Sequence, residues 1–305
     1  MDAQAEQLLL EIGIQLDAGI FPKVKNGGFV MPGEPSRPLP NRGKEKSDGE
    51  GQEREGPRET GESRPWRGDP KPRPGQLGRP RPSGPPWAAG KAAPVVSALD
   101  QYEQEVSALQ AIYPDARSWR TQRGVWLAVR ARLLPGLREH ALFLMGVPAV
   151  TGVVRSWAFW VDPIFLPVWI GPRHTNFGDG SICAFEPADG TWSFGDSLID
   201  LVDMYAVWTL RHLHLRHTGR WPGPQAVHRP YERLLEIGSD ERCGCPTPRG
   251  TYSRCCRSRD LGRDRIADAV DFLIFSRWQL RRPLPVVEQF VSTGFRNIEM
   301  LERLI

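Results

Sequence analysis

The fold is decided by residues 124–170, which read GVWLAVRARLLPGLREHALFLMGVPAVTGVVRSWAFWVDPIFLPVWI. Short apolar runs of strand length alternate there with polar and turn-forming residues. These runs cover residues 124–134, 140–147 and 156–170. Because no helical segment separates them, we predict an antiparallel meander and not an alternating order of strands and helices.

The side-chain pattern within these runs supports the assignment to strands. Val125, Leu127 and Val129 alternate with other residues, as in a strand whose successive side chains point to opposite faces. Pro163 and Pro167 interrupt the last run, and proline removes a donor from a sheet ladder. We therefore expect the second half of that run to be an edge segment or a loop.

Helical patterns flank the predicted meander. Residues 97–114 show apolar side chains at helical spacing and end at a proline. Residues 197–217 form a second pattern that Asp196 and Ser197 can cap and that Gly219 can end. The predicted fold class is therefore α+β, with a four-stranded antiparallel meander flanked by helices.

The chain divides into five segments by composition. The first is a short helical peptide that either docks or folds only on a partner, and the second is a Pro-, Gly- and Arg-rich linker to which we assign no fold. A globular domain, a cysteine-rich segment and a helical tail follow. Their bounds are residues 1–20, 21–96, 97–236, 237–262 and 263–305.

Composition and charge exclude several classes of function. The net charge of +4 is too small to indicate a nucleic-acid-binding protein, so no nucleic-acid partner is expected. The sequence contains no run of about 18 apolar residues, so no transmembrane helix is expected. The first residues lack the basic and apolar regions of a secretion signal. We expect a cytoplasmic protein with no membrane partner.

The candidate catalytic side chains are concentrated in residues 174–192, which read HTNFGDGSICAFEPADGTW. Two glycines and an aspartate before Cys183 indicate a tight turn that places the thiol at the edge of a loop. A cysteine thiolate attacks acyl carbons well, and the Asn176 amide can donate to a developing oxyanion. His174 can orient the loop or act as a base. The alternative is an inert cysteine buried beside a tryptophan-rich core.

This block resembles the active-site segment of ubiquitin-conjugating enzymes, in which an HPN tripeptide precedes a G-x-I-C-L core and a later W-S. The matching residues are HTN at 174–176, GSICA at 180–184 and WS at 192–193. The turn TGRWPG at 218–223, which follows a helix, is similar to one in the bacterial ubiquitin-conjugating-like proteins of anti-phage CBASS and related conjugation operons. The resemblance implies the UBC fold for this domain.

The resemblance also implies an activity and its residues. Cys183 would form a thioester, Asn176 would support the loop and the oxyanion, and His174 would be the structural histidine of the tripeptide. An activating enzyme would supply a ubiquitin-like protein, and a protein or small-molecule amine would accept it. The implied protein is a cysteine acyltransferase of bacterial antiviral defence.

Four further cysteines lie close together in the sequence, at positions 243, 245, 255 and 256. Cys243, Cys245, Cys255 and Cys256 can close a tetrahedral shell around a structural Zn²⁺ ion, with the two pairs facing each other across a turn. In a chain without a secretion signal, such spacing argues against a disulfide framework. The pattern resembles the SEC-C zinc motif, whose C-x-C, G-x-Y and C-C features recur here.

Three other interpretations remain open. The chain can be an inactive protein of the same fold whose zinc segment recruits a partner. It can be a hydrolase that uses Cys183 and His174. It can also bind RNA through a basic patch around the four cysteines, or that patch can be a solvated surface. The patch comprises Arg254, Arg257, Arg259, Arg263 and Arg265.

Overall fold

The structure is a computed structural model of the 305-residue chain. It describes residues 1–25, 28–30, 98–149, 153–162, 164–185, 191–193, 195–227 and 229–305. Met1–Pro35 and Val96–Ile305 form one compact unit, and the whole of the second unit, Ser36–Val95, lies outside the described residues.

Eight α-helices and a final 3₁₀ helix are found in the described ranges. The helices are α1 (Ala3–Asp17), α2 (Ala98–Ile112), α3 (Leu198–Thr218), α4 (Pro230–Glu236), α5 (Tyr252–Cys255), α6 (Arg257–Leu261), α7 (Arg265–Phe275), α8 (Pro285–Ser292) and the 3₁₀ helix (Ile298–Leu304). None of these helices combines the length and the apolar character that crossing a bilayer requires.

The main sheet is an antiparallel meander with neighbouring strands in chain order. Its strands are β3 (Arg117–Arg120), β4 (Gly124–Ala131), β5 (His140–Pro148), β6 (Arg155–Val161) and β7 (Val168–Trp169). The mixed α and β architecture with an antiparallel sheet is confirmed, but the sheet has five strands and not four. The additional strand β3 pairs with β4 through Trp119 opposite Trp126. Its polar sequence, RSWR, carries no apolar alternation that would have revealed it.

The predicted linker over residues 21–96 lies largely outside the described residues, but its first part differs from the prediction. The strands β1 (Lys23–Lys25) and β2 (Gly28–Val30) pair antiparallel, with Val24 opposite Phe29. Both of these side chains pack against the main core. Apolar burial of this pair explains why the segment forms a hairpin and not an unfolded linker.

Helices cover both faces of the main sheet. On one face, Leu127, Phe143 and Trp160 pack with α1, α2 and α3 in the larger core. On the other face, Trp126 and Trp157 stack at 6.3 Å and pack with α8 and the 3₁₀ helix. The central strands β4, β5 and β6 are therefore buried almost throughout, which their alternating pattern alone did not indicate.

The N-terminal helix α1 belongs to the larger core. Leu9, Ile12 and Leu16 are no more than 1% exposed and pack with residues of α3 and the sheet. Asp2 caps the helix through a hydrogen bond from the Ala5 N–H. The segment that the sequence predicted to dock or to fold only on a partner is helical, as predicted, and packs within its own chain.

This packing predicts unequal effects of two neighbouring substitutions. We expect Leu9→Ala to lower the free energy of unfolding by about 3 kcal/mol, because it opens a cavity in the larger core. Leu10→Ala is the matched control, since this side chain is 47% exposed, and its effect should stay within about 0.5 kcal/mol. Urea unfolding followed by circular dichroism measures both. Equal effects would show that α1 does not contribute to the core.

Candidate functional site

The segment between β7 and α3 carries His174, Asn176 and Cys183, and backbone hydrogen bonds hold it against the sheet. The Ile182 N–H donates to the Ser156 carbonyl of β6 at 2.7 Å, and the Cys183 N–H donates to the His174 carbonyl at 3.0 Å. We call residues 174–183 the cysteine loop. The two ends of the cysteine loop are thus joined by a backbone hydrogen bond between Cys183 and His174.

Three indole groups fix the backbone of the cysteine loop from outside. Trp157 donates to the Asp179 carbonyl at 2.6 Å, and Trp169 donates to the Gly180 carbonyl at 3.2 Å. Trp208 of α3 donates to the His174 carbonyl at 3.0 Å. These tryptophans therefore position the loop in addition to filling the core.

Gly180 permits the close approach of the cysteine loop to the C-terminal segment. Its φ of +62° lies in the left-handed region, and a Cβ there would collide with the backbone of Arg282 and Pro283. The glycines that the sequence associates with a tight turn thus also provide room for the chain between α7 and α8.

Cys183 is half-buried and forms no disulfide. The exposed Asn176 donates its amide to the Ser181 Oγ at 3.0 Å and to the Ile182 carbonyl at 3.3 Å. Its observed contacts therefore support the loop next to the thiol.

Tyr205 of α3 is a buried phenol that the charge of the thiol affects, a link that sequence reasoning missed. Burial raises the pKa of its phenol, and the charge of a Cys183 thiolate raises it further. Tyr205 lies within the helical pattern predicted at residues 197–217, and a hydroxyl among the apolar side chains of that helix is the signal that could have marked it.

His174 has a φ of +51°, and its ring packs 4.4 Å from that of Trp221. Its Nε2 lies 3.4 Å from the Gln225 Oε1. Burial, and then the charges of Arg211 and Arg173, hold the pKa of the imidazole well below its usual range. The sequence left two roles open for His174, orientation of the loop and action as a base. These contacts favour orientation of the loop.

A buried ionic network supports the start of the cysteine loop. Arg173 forms a bidentate ion pair with Glu241, and both side chains are at least 93% buried. Glu241 also accepts from the Trp221 N–H at 2.8 Å and from the Gln225 Nε2 at 3.3 Å. The network joins segments 68 residues apart in the chain.

The buried histidines predict an acid-sensitive fold. Burial lowers the pKa of His212 to about 3, and His174 shifts in the same direction. Unfolding releases each ring to its usual pKa of 6.5, so the unfolded chain binds more protons and stability falls as the pH falls below 6.5. We expect His212 alone to cost about 2 kcal/mol of stability at pH 5, and His174 to act in the same direction.

Thermal unfolding between pH 5 and pH 7 measures this dependence. His212→Gln should flatten the slope of stability against pH, whatever its effect at pH 7. His217→Gln is the control, because His217 is exposed at the end of α3, and it should leave the slope unchanged. A wild-type slope retained in His212→Gln would rule out a neutral buried His212.

The structure brings the four remaining cysteines into one cluster. The Sγ atoms of Cys243, Cys245, Cys255 and Cys256 all lie within 4.8 Å of one another. Two Sγ–Sγ distances, Cys245 to Cys255 and Cys255 to Cys256, are 3.7 Å. A turn brings the pairs together, since the Cys243 N–H donates to the Gly250 carbonyl at 3.0 Å.

These distances fit a metal centre. A tetrahedron with metal–sulfur bonds of about 2.3 Å has edges of about 3.8 Å, close to both measured separations. A disulfide would need a separation of about 2.05 Å, and all four residues are free cysteines. The cluster can therefore hold a metal ion with four sulfur ligands.

Neighbouring donors favour the thiolate form that a metal requires. The Arg249 N–H donates to the Cys255 Sγ at 3.4 Å and lowers the pKa of that thiol. Arg259 donates to the Cys256 Sγ at 3.1 Å. Burial acts in the opposite direction and raises the pKa of Cys243 and of Cys256, so a bound cation would offset the cost of burying their charges.

Buried side chains also support the cluster from behind. Arg233 of α4 forms a bidentate ion pair with Asp260 of α6, and the Tyr252 hydroxyl donates to the same carboxylate at 3.2 Å. Tyr252 packs with Cys243, Cys245 and Cys256 in a separate small core. This core is too small to hold the segment together without further support.

In comparisons with known proteins, no family model, no curated protein and no solved structure matches this chain. The chemistry of both cysteine sites is therefore inferred from their own geometry.

Proposed function

We propose that this chain is a ubiquitin-conjugating-like acyl carrier that holds a ubiquitin-like protein as a thioester on Cys183 and transfers it to an amine. One observation carries the proposal: a partly exposed thiol lies at the end of a loop fixed by hydrogen bonds from three tryptophans. Acyl transfer between thiols needs an accessible sulfur in a fixed position more than it needs a strong base, because a thioester is already activated.

Two balanced steps make up the proposed reaction. The Cys183 thiolate attacks the thioester of the activating enzyme, a new carbon–sulfur bond forms, and the enzyme's own thiolate leaves. An amine of the acceptor then attacks the carbonyl carbon, an amide bond forms, and the Cys183 thiolate leaves while the amine loses a proton to solvent. Within this chain, the Asn176 amide holds the loop next to the sulfur.

The order of elements supports the same proposal. An antiparallel meander leads into the cysteine loop, and the long helix α3 follows it, as the UBC fold would require. We place the protein in bacterial antiviral defence on the resemblance of residues 174–223 alone.

For the four-cysteine cluster we propose a structural zinc ion, in the manner of the SEC-C motif. Four sulfur ligands leave no open coordination position for a substrate, and zinc is the ion that tetrahedral thiolate sets favour. In this proposal the metal stabilises the segment after α4 and takes no part in the transfer.

A peptide thioester tests the acyl-carrier proposal without knowledge of the natural donor. We expect the full chain, incubated with a Gly-Gly-terminated peptide thioester, to gain the peptide mass on Cys183 only and to lose it on treatment with thiol. The thiols of the metal cluster serve as internal controls, and Cys183→Ala should gain nothing. Intact-mass and fragmentation spectra measure the adduct.

Other outcomes would select among the remaining functions. Catalytic release of free peptide acid would indicate a hydrolase. The absence of an adduct, both with the peptide and with an activating enzyme that charges its own ubiquitin-like protein on Cys183→Ser, would leave the inactive interaction protein. That alternative is favoured by one observation, since the Asn176 amide is already engaged by Ser181 and Ile182.

A further inference from the structure

An open apolar groove lies between α4, α6 and α7, beside the four-cysteine cluster. Its volume is about 770 Å³, within the range of peptide- and ligand-binding clefts. Apolar residues from all three helices line it, among them Leu234, Leu235, Leu261, Ile266 and Val270. The described part of the chain leaves this groove uncovered.

Helix α7 continues the apolar surface beyond the groove. Ile266, Val270 and Ile274 recur every four residues and are 78%, 46% and 65% exposed. They form one stripe about 12 Å long, which matches two to three turns of a helix lying alongside. Leu235 of α4, 63% exposed, forms the opposite wall. An apolar stripe of this kind is a typical binding surface for an amphipathic helix.

The charged side chains that line the groove indicate which charge a bound segment should carry. Its lining includes Arg257 and Arg265 and contains no carboxylate. Neither arginine forms an ion pair with a described residue, whereas Arg263 of the predicted basic patch binds Asp268 in a bidentate pair. Both unpaired cations are exposed at the rim. An occupant with carboxylates beside its apolar face would therefore complement the groove.

A second copy of this chain fits the groove less well. Pairing α7 with itself would need carboxylates to face the two arginines. The carboxylates of α7 and its cap are already engaged, because Asp264 caps the helix, Asp268 binds Arg263 and Asp271 binds Arg229.

The groove is connected to the cysteine loop through a chain of contacting aromatic rings, one pair tilted and one edge-to-face. Tyr231 of the groove wall contacts Phe272 of α7 at 5.5 Å, and Phe272 contacts Phe177 at the same distance. Phe177 follows Asn176 directly, and Arg281 lies 4.0 Å over its ring. A helix bound in the groove would thus lie next to the elements that position the thiol.

We propose that this groove binds an acidic amphipathic helix of a partner protein. Leucine-like side chains of that helix would enter between Leu235 and Ile266, and its flanking glutamates would pair with Arg257 and Arg265. This inference is independent of the acyl transfer at Cys183, because binding at the groove needs no reaction.

A display library tests the proposal on the full chain. The peptides have 14 residues, with leucines fixed at i, i+3, i+4 and i+7 and with flanking positions free to be Glu, Gln or Lys. We expect selection to enrich Glu at the flanks. The most enriched peptide, labelled with fluorescein, should then lose at least tenfold in affinity with Ile266→Asp, and Arg257→Glu combined with Arg265→Glu should reverse the preference towards Lys.

Controls separate binding from loss of fold. Ile164→Asp changes a residue that is 69% exposed on the loop after β6, and it should leave the affinity unchanged. Leu235→Asp, on the other wall, should match Ile266→Asp, and thermal melts verify that each variant is folded. No enrichment, enrichment of Lys, or an equal effect of Ile164→Asp would overturn the proposal.

Two further results would also overturn it. The first is binding of a single-stranded RNA 12-mer that is abolished by Arg257→Glu combined with Arg265→Glu and is retained in Ile266→Asp. That result would show that the site recognises nucleic acid. If light scattering shows a dimer that Ile266→Asp dissociates, the groove is an interface between copies.

Discussion

Replacing Cys243 with serine is expected to release one zinc ion per chain and to lower stability by more than about 3 kcal/mol. Cys243 is 1% exposed and belongs to a small core with Tyr252 and Cys256, so little apolar burial remains to hold the segment without metal. Structural zinc in small domains contributes about 10–16 kcal/mol of apparent binding free energy, which is also folding free energy. A melting temperature lower by about 10 °C would follow.

Cys183→Ser is the matched control for this experiment. It removes one thiol that lies outside the cluster, so the zinc content and the melting temperature should stay at their wild-type values. Mass spectrometry for metals gives the zinc stoichiometry, and calorimetry gives the melting temperature. A chelator should reproduce the effect of Cys243→Ser on the wild type. A stable, metal-free Cys243→Ser variant with unchanged melting would contradict a structural zinc ion.

Replacing Glu241 with glutamine is expected to destabilise the fold by about 3–5 kcal/mol, because it leaves the charge of Arg173 buried and unpaired. The Arg173 side chain is 7% exposed and that of Glu241 is 2% exposed. The substitution also weakens the acceptor of the Trp221 N–H. We therefore expect the start of the cysteine loop and the turn after α3 to loosen together, and hydrogen exchange of both segments measures this.

The control for Glu241→Gln is an ion pair of the same chemistry at the surface. Arg120 and Glu103 pair at 2.8 Å, but their side chains are 51% and 62% exposed. Glu103→Gln should cost no more than about 0.5 kcal/mol, because solvent screens an exposed pair. Zinc content measured on Glu241→Gln shows whether the effect passes through the nearby four-cysteine cluster. Equal costs for the two variants would show that the Arg173–Glu241 pair is not buried in solution.

The apolar pattern of the sequence was enough to predict most strands of the sheet. The edge strand β3 was not predicted, because its residues are mostly polar. Strands β4, β5 and β6 overlap the runs at 124–134, 140–147 and 156–170, because the apolar side chains of each run must be buried. Strand β3 was missed because RSWR pairs through its backbone and has one partly buried side chain, Trp119.

The roles of single residues at the candidate site were less accessible to sequence reasoning. The glycines and the lone thiol of residues 174–183 indicated a turn, and the structure contains it. The same sequence carried no sign that Trp157, Trp169 and Trp208 would donate to the loop backbone, because these residues belong to β6, β7 and α3. In a sequence, an aromatic residue that donates a hydrogen bond to a loop cannot be told from one that only fills the core. The two roles differ in the hydrogen-bond partner, which the sequence does not give.

Local sequence was enough to predict the antiparallel meander, the turn before Cys183 and a group of four thiols within 14 positions. Each of these follows from side-chain period, turn chemistry or spacing, which act over a few residues. Three features depend on the folded chain as a whole: α8 and the 3₁₀ helix cover the second face of the sheet, four sulfurs lie within 4.8 Å of one another, and Arg173 pairs with Glu241. These contacts join distant parts of the chain, and burial of apolar surface and of paired charge selects them only when the whole fold assembles.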